Sequence, residues 1–166
     1  MRMRAPARAC SSVGAFARLV ASGELRLGRS YMLCDGRRYR VFRETVRRLE
    51  DEPRTVIEVG FRLRLIGAAP APHWLFQRLC ILTTPFWSGF PGFATKLWMV
   101  DPETLGYAGI YAWDSAESAR DYPAVLLPVL RAVSVRGSVF AEVRPERGLE
   151  EFLRVRAEVE PRQALA

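Results

Sequence analysis

The side chains that could carry out chemistry lie on predicted strands and at one predicted helix start, among large aromatic residues. We select Lys96, Tyr111 and His73 as candidate catalytic residues, because an amine, a phenol and an imidazole can each transfer a proton or stabilise an anion. His73 is the only histidine, and it follows Pro72. The candidate substrate-binding residues combine charge with rings that could clamp a planar ligand: Glu58, Arg62, Trp98, Trp113 and Tyr107.

Each candidate also has a structural interpretation that the sequence leaves open. A histidine at a helix start is commonly an exposed or capping residue. Lys96, Arg62 and Glu58 could form a cross-strand ion pair, and the aromatic rings could pack in the core of a dimer. The spacing of Asp114 and Glu117 is that of a capping box, so we interpret this pair as a helix cap and not as paired catalytic carboxylates.

Motifs for bound cofactors are missing from the sequence. It contains no glycine-rich nucleotide loop, Walker motif, serine-hydrolase elbow or set of His and Cys residues at metal-ligand spacing. We therefore expect no cofactor and no metal. The three cysteines, Cys10, Cys34 and Cys80, are widely spaced and odd in number, which predicts reduced thiols in a cytoplasmic protein.

The excess of positive over negative charge lies in the first third of the chain. The 166 residues carry a formal net charge of +7. Residues 1–49 contain 12 arginines and 3 acidic residues, whereas the remainder contains 13 basic and 15 acidic residues. A nucleic-acid-binding core needs a basic face of its own, so nucleic acid is not an expected partner. No apolar stretch approaches the roughly 18 residues of a membrane span, so no membrane association is expected.

Hydrophobic periodicity from Thr55 onward predicts the main domain. Alternation over 55–65 indicates a strand, and the segments that follow indicate a helix over 73–84, strands over 93–100 and 107–114, a helix over 115–133 and a strand over 138–144. The order β-α-β-β-α-β predicts an α+β, ferredoxin-like domain with a four-stranded antiparallel sheet over residues 54–145.

The segments on either side of this domain are predicted to be separate. Residues 1–53 form an Arg-rich extension, partly disordered or folded as a small hairpin or helix, with a turn at Asp35-Gly36 and helical turns over 42–51. Met32 could serve as an alternative translation start, and residues 1–31 would then be a translation artefact or a disordered arm. Residues 146–166 form a charged C-terminal helix and tail.

The expected hairpin of strands 93–100 and 107–114 sorts its residues onto two faces. If Val100 lies opposite Tyr107, then Lys96 lies opposite Tyr111 and Ala94 opposite Trp113. The aliphatic face, with Leu97 and Ile110, is expected under both helices. The aromatic face, predicted to carry the following residues, is expected to be uncovered: Lys96, Trp98, Tyr107, Tyr111, Trp113, Glu58, Gly60, Arg62 and Arg64. Soluble monomers rarely expose such a surface, so a second copy, a small ligand or RNA would have to cover it. The segment 105–112 departs from the RRM stacking motif, which disfavours RNA.

Three segments of the chain are similar to a known family. Phe90-Pro91-Gly92-Phe93, the run from Lys96 to Asp101 and the run from Gly109 to Asp114 resemble the dimeric α/β-barrel superfamily, with the YdhR-type and antibiotic-biosynthesis mono-oxygenases as the nearest group. The resemblance implies a homodimer whose two sheets enclose a small aromatic or hydrophobic ligand. It also implies an oxidoreductase activity, a cofactor-independent mono-oxygenase acting on a phenolic or polycyclic substrate. The alternative is a non-catalytic ligand-binding or structural dimer module of the same architecture.

Overall fold

The computed structural model describes residues 26–47, 53–64, 72–78, 80, 84, 89–145 and 147–157. Within them lie six strands: β1 (Ser30–Met32), β2 (Arg38–Val46), β3 (Thr55–Phe61), β4 (Phe93–Val100), β5 (Tyr107–Trp113) and β6 (Phe140–Arg144). The two longest described helices are α1 (Ala116–Val133) and α2 (Leu149–Ala157). Residues 72–78 are also helical, as are Cys80 and Thr84.

The strands form one antiparallel sheet in the order β1-β2-β4-β5-β3-β6. Strands β3 to β6, with the helical residues after β3 and α1 after β5, have the predicted β-α-β-β-α-β order, so the α+β, ferredoxin-like core is confirmed. The sheet has six strands and not four, because the β1–β2 hairpin adds to it beside β4. The helical turns expected from residue 42 are wrong as far as Val46: these residues pair with β4, where Val46 lies opposite Thr95.

The predicted register of β4 and β5 is confirmed over most of its length. Val100 lies opposite Tyr107, and Lys96 lies opposite Tyr111. An irregularity between Phe93 and Thr95 then shifts the register, so that Phe93 and not Ala94 lies opposite Trp113. Such bulges insert one unpaired residue, and neither composition nor period indicates where they occur.

The assignment of the helices to the faces of the sheet is wrong. Helix α1 buries Ala119, Tyr122, Leu126 and Leu130 in a core shared with Tyr111 and Trp113, so it covers the aromatic face that was expected to be open. Helix α2 buries Leu149, Phe152 and Leu153 against the aliphatic face, together with Leu97 and Ile110. Both faces of the central strands are apolar, so residue pattern alone does not determine which helix covers which face.

The cap of α1 differs by one residue from the predicted capping box. The N-cap is Ser115, whose Oγ accepts a hydrogen bond from the backbone N–H of Ser118 at 3.1 Å. Asp114 contributes indirectly, because its Oδ1 accepts a hydrogen bond from the Ser115 hydroxyl at 2.9 Å. Among the described residues, no helix has the length and apolar character needed to cross a membrane.

Candidate functional site

An apolar cavity lies between the aromatic face of the sheet, α1 and the helical residues 72–78 and Cys80. Its volume is about 200 Å³. The residues that line it are mainly aromatic and aliphatic: Phe42, Phe61, Leu63, Phe76, Cys80, Lys96, Trp98, Met99, Tyr107, Ala108, Tyr111, Leu126, Val129, Leu130 and Val133. Lys96 is the one charged side chain among these described lining residues. The cavity therefore combines an apolar enclosure with a single cationic group, an arrangement typical of small-molecule sites.

Lys96 lies on β4 between two aromatic rings of the same face. Its Nζ is 3.1 Å from the centre of the Trp98 ring and 4.7 Å from the centre of the Tyr111 ring. Only 4% of the residue is exposed. The described part of the chain offers Lys96 no carboxylate and no hydrogen-bond acceptor, so the two rings are its main electrostatic partners.

Burial lowers the pKa of Lys96 well below its ordinary value of 10.5. The nearby thiol of Cys80 opposes this shift, and the guanidinium of Arg43 adds to it. One guanidinium nitrogen of Arg43, Nη1, is itself buried and has no hydrogen-bond partner within the described residues. Among the described residues, no acidic group balances Lys96 or Arg43 on the aromatic side of β2 and β4, so the protonated form of each would gain from a bound anion.

Tyr107 and His73 form a hydrogen-bonded pair beside the cavity. The Tyr107 hydroxyl lies 2.8 Å from His73 Nδ1, and both residues are buried. The Tyr107 ring stacks on Phe61 with 6.0 Å between centroids and contacts Phe76 at 4.5 Å. Burial raises the pKa of Tyr107 to about 12, so its phenol is protonated at neutral pH. His73 does not line the cavity, and its hydrogen bond to Tyr107 links it to a residue that does.

Tyr111 and Trp98 line the cavity, whereas Trp113 lies in the core behind it. Burial raises the pKa of Tyr111, which keeps its hydroxyl protonated and able to donate a hydrogen bond. Trp98 is fixed by its indole N–H, which donates to Thr45 Oγ1 at 3.0 Å. Trp113 is fully buried, and its ring lies edge-on to Phe93 with 5.7 Å between centroids. Its proposed contact with substrate therefore has no support in the geometry of the cavity.

The expected grouping of Glu58 and Arg62 with Lys96 is wrong. Glu58 lies opposite Ile110 in the β3–β5 pairing, which places it on the α2 face, across the sheet from Lys96. Its two oxygens accept hydrogen bonds from the backbone N–H of Cys34 at 2.9 Å and from Arg156 at 2.5 Å. Arg62 follows the end of β3, is exposed and lines a separate cleft. Since β3 is buried on both faces, its alternation did not indicate which residues point toward Lys96.

One group of described residues has donor atoms close enough to share a metal ion. Atoms of Cys34, Glu58 and Glu142 all lie within 4.8 Å of one another, on the side of the sheet away from the cavity. Both carboxylate oxygens of Glu58 already have partners, as described above. Burial and the two carboxylates raise the pKa of the Cys34 thiol to about 12, so a metal would have to displace its proton. The chemistry of this group does not favour a metal centre.

Sequence reasoning missed Phe76, Cys80 and Arg43 as neighbours of Lys96. On the first predicted helix, the apolar Leu75 is 52% exposed. The residues of this helix that pack toward the sheet are instead His73, Phe76 and Cys80, spaced by three and four residues; His73 and Cys80 are buried and Phe76 is half-buried. This spacing was visible in the sequence as a second, partly polar stripe. Burial raises the pKa of Cys80 to about 11, although Lys96 and Arg43 oppose the increase.

Comparisons with known proteins show similarity of structure only. No family model matches the chain, and no curated protein sequence is significantly similar to it. A monooxygenase-like protein from Listeria innocua superposes with a TM-score of 0.50 at 15% identity, covering 69% of this chain and 66% of that one. The chain thus spans about two thirds of the length of that protein.

Two further solved structures are similar to a comparable extent. A heme-degrading enzyme from Listeria monocytogenes has a TM-score of 0.49 at 15% identity, covering 67% of this chain and 72% of that one. A ferredoxin-fold protein related to antibiotic biosynthesis monooxygenases, also from Listeria monocytogenes, has a TM-score of 0.47 at 18% identity, covering 69% and 67%. The superposition with the Listeria innocua protein shows that the chain shares its fold, and the resemblance predicted from its strand motifs is confirmed at the level of fold.

Proposed function

We propose that the protein binds a small phenolic compound in the Lys96 cavity and oxidises it as a cofactor-independent mono-oxygenase. The observation that carries this proposal is the buried Lys96, which has aromatic rings around it and no counterion among the described residues. Burying a cation without a negatively charged partner lowers the stability of a protein, so such a residue points to a site where a bound anion balances its charge. A phenolate or enolate would supply that charge and place its ring among those of the cavity.

The size of the cavity restricts the substrate class. Its volume of about 200 Å³ lies below the roughly 300–1,000 Å³ of sites for drug-sized ligands. A compound of one or two fused rings suits this volume better than the larger polycyclic substrates that the family resemblance allows. Val129 and Val133 of α1 line the cavity and are about half exposed, so they mark the side from which such a compound would enter.

The chemistry follows from the protonation states of the lining groups. Because burial lowers its pKa, Lys96 can accept the proton of a phenol or of an activated methylene, and the resulting ammonium then pairs with the substrate anion. The protonated Tyr111 hydroxyl can donate a hydrogen bond to the same oxygen. The substrate anion then reacts with O2, and conversion of a CH2 group to C=O consumes one O2 and releases one water.

Oxygen consumption with a panel of one- and two-ring phenols and enolisable ketones tests the activity. We expect turnover by the wild type and its loss in Lys96→Met, with reduced turnover in Tyr111→Phe. Arg40→Met provides a matched control, because Arg40 is an exposed residue of β2 outside the cavity. Absence of turnover over the whole panel would refute the enzymatic proposal.

The contact between Lys96 Nζ and the Trp98 ring favours a second candidate, a non-catalytic ligand-binding protein. An ammonium 3.1 Å from a ring centre is already partly stabilised without substrate. In this alternative the same phenols bind and depend on Lys96, but no oxygen is consumed. Calorimetric binding measured beside the oxygen assay separates the two functions.

Homodimer formation and a cytoplasmic location are further proposals that rest on the family resemblance. The uncovered aromatic face that first suggested a dimer is covered by α1, so it no longer supports one. Light scattering coupled to size exclusion tests dimerisation directly, because a dimer has twice the 18.8 kDa mass of the chain.

A further inference from the structure

A second, larger concavity lies at the end of the sheet, away from Lys96. Its volume is about 430 Å³. It is formed where the β1–β2 turn, the β4–β5 loop, the end of β3 and the α1–β6 loop come together, and its lining includes Asp35, Arg37, Phe61, Arg62, Arg136 and Phe140. We call this concavity the arginine cleft. The proposed oxidation does not use it.

The arginine cleft carries an excess of positive charge. Three arginines, Arg37, Arg62 and Arg136, line it beside one acidic residue, Asp35. That carboxylate is already engaged, since it accepts hydrogen bonds from the Tyr39 hydroxyl at 2.8 Å and from the Arg37 N–H at 3.1 Å. Within the described residues, Arg62 and Arg136 have no ion pair. Because Arg37 is paired with Asp35 and Asp101, the unpaired positive charges of the lining are those of Arg62 and Arg136.

Backbone contacts hold Arg62 and Arg136 on the same wall of the cleft. The N–H of Val135 donates to the Arg62 carbonyl at 2.7 Å, and the Arg62 N–H donates to Ser138 Oγ at 3.1 Å. The turn closes at Gly137, whose φ of +78° is a conformation that favours glycine. On the opposite wall, the Arg37 guanidinium lies 3.8 Å from Asp101. The arginines of the lining thus come from separate loops that hydrogen bonds and an ion pair hold in place.

We propose that the arginine cleft binds the phosphomonoester of a small aromatic compound. A phosphomonoester carries a charge of about −1.5 to −2 at pH 7, which matches the excess charge of the lining. Guanidinium groups bind phosphate oxygens in a bidentate manner, which lysine cannot reproduce. Phe61 and Phe140 add apolar walls that an aromatic group could contact.

Calorimetric titration with phenyl phosphate, and separately with inorganic phosphate, tests the site. We expect phenyl phosphate to bind more tightly than inorganic phosphate, and Arg62→Gln and Arg136→Gln each to weaken binding about tenfold. Arg154→Gln is the matched control, because it removes the same charge from an exposed position on α2 outside the cleft. Lys96→Met is expected to leave the affinity unchanged, which keeps this test independent of the proposed oxidation.

Several results would overturn the proposal. They are the absence of phenyl phosphate binding at millimolar concentration, an equal weakening by Arg154→Gln, and equal affinities for inorganic and phenyl phosphate. Loss of phenyl phosphate binding in Lys96→Met would place the ligand in the Lys96 cavity and would also refute the assignment to the arginine cleft.

Discussion

Replacement of Lys96 by methionine should stabilise the protein while removing its proposed activity. Burial of an ion without a counterion costs several kcal/mol. The Trp98 ring, 3.1 Å from Nζ, returns about 2 kcal/mol of this cost. Methionine has a similar length and no charge, so we expect Lys96→Met to raise the free energy of unfolding by about 1–3 kcal/mol at pH 7. For a chain of this size, that corresponds to an increase in Tm of about 3–10 °C.

The dependence of this effect on pH has a definite sign. Because burial lowers the pKa of Lys96 in the folded protein, the unfolded chain binds more protons between that lowered pKa and about 10.4. The free energy of unfolding contributed by Lys96 therefore rises with pH across this window. Lys96→Met lacks this rise. Its free energy of unfolding therefore exceeds that of the wild type most at pH values below the pKa of Lys96 in the folded protein, and the difference becomes smaller toward pH 10. The contributions of ionisable groups that both proteins share cancel approximately in the difference.

Urea unfolding of the wild type, Lys96→Met and the surface control Arg40→Met, measured from pH 6 to pH 10, provides the assay. We expect Arg40→Met to change the free energy of unfolding by no more than about 0.5 kcal/mol, as is usual for exposed positions. A Lys96→Met protein that is less stable than the wild type throughout this pH range would refute the reasoning. Lys96 would then be a structural residue whose contacts with the rings outweigh the cost of its burial.

Three further predictions concern groups outside the proposed chemistry. Glu58→Gln should lower the free energy of unfolding by about 1–3 kcal/mol, because it weakens the hydrogen bond from Arg156. It should leave phenol binding unchanged, as calorimetry on the folded variant would show. Loss of phenol binding would contradict the placement of Glu58 on the opposite side of the sheet from Lys96. In a variant that also carries Cys10→Ser and Cys34→Ser, Cys80 should react with a disulfide reagent at least about 100-fold more slowly than an unperturbed thiol at pH 7.5. The reason is that burial raises the pKa of Cys80 from 9.0 to about 11. A reaction rate equal to that of free cysteine would show that Cys80 is not buried. Ser115→Ala should cost about 1 kcal/mol in urea unfolding through loss of the α1 cap, and an unchanged stability would show that Ser115 is not the cap.

The sequence predicted the elements of the core because each has its own local signal. Strand β4 occurs at the predicted residues, and the loop between β4 and β5 determined a register that places Lys96 opposite Tyr111. The β1–β2 hairpin was recognised from Asp35-Gly36, but its membership of the sheet depends on pairing with β4, about 50–60 residues farther along the chain. Local patterns contain no information on such long-range pairing.

The composition of the candidate site was predicted in part. Lys96, Trp98, Tyr107 and Tyr111 were identified because alternation within one hairpin places them on one face, and all four line the cavity. Glu58 was misplaced because β3 is apolar on both faces, so that a choice of register between β3 and β5 decides its side. Cys80 and Phe76 reach the cavity from a helix, and only tertiary packing brings that helix over Lys96.

The most direct test of the central claim uses the fact that Lys96 is the only lysine in the chain. Labelling with [13Cε]lysine therefore gives a single side-chain NMR signal, whose shift reports the protonation of Nζ. We predict a pKa well below 10.4 and a displacement of the signal that saturates on titration with a one- or two-ring phenol such as 2-naphthol. A signal that titrates at about 10.4 and does not respond to any phenol would contradict the account, because Lys96 would then be neither desolvated nor part of a binding site.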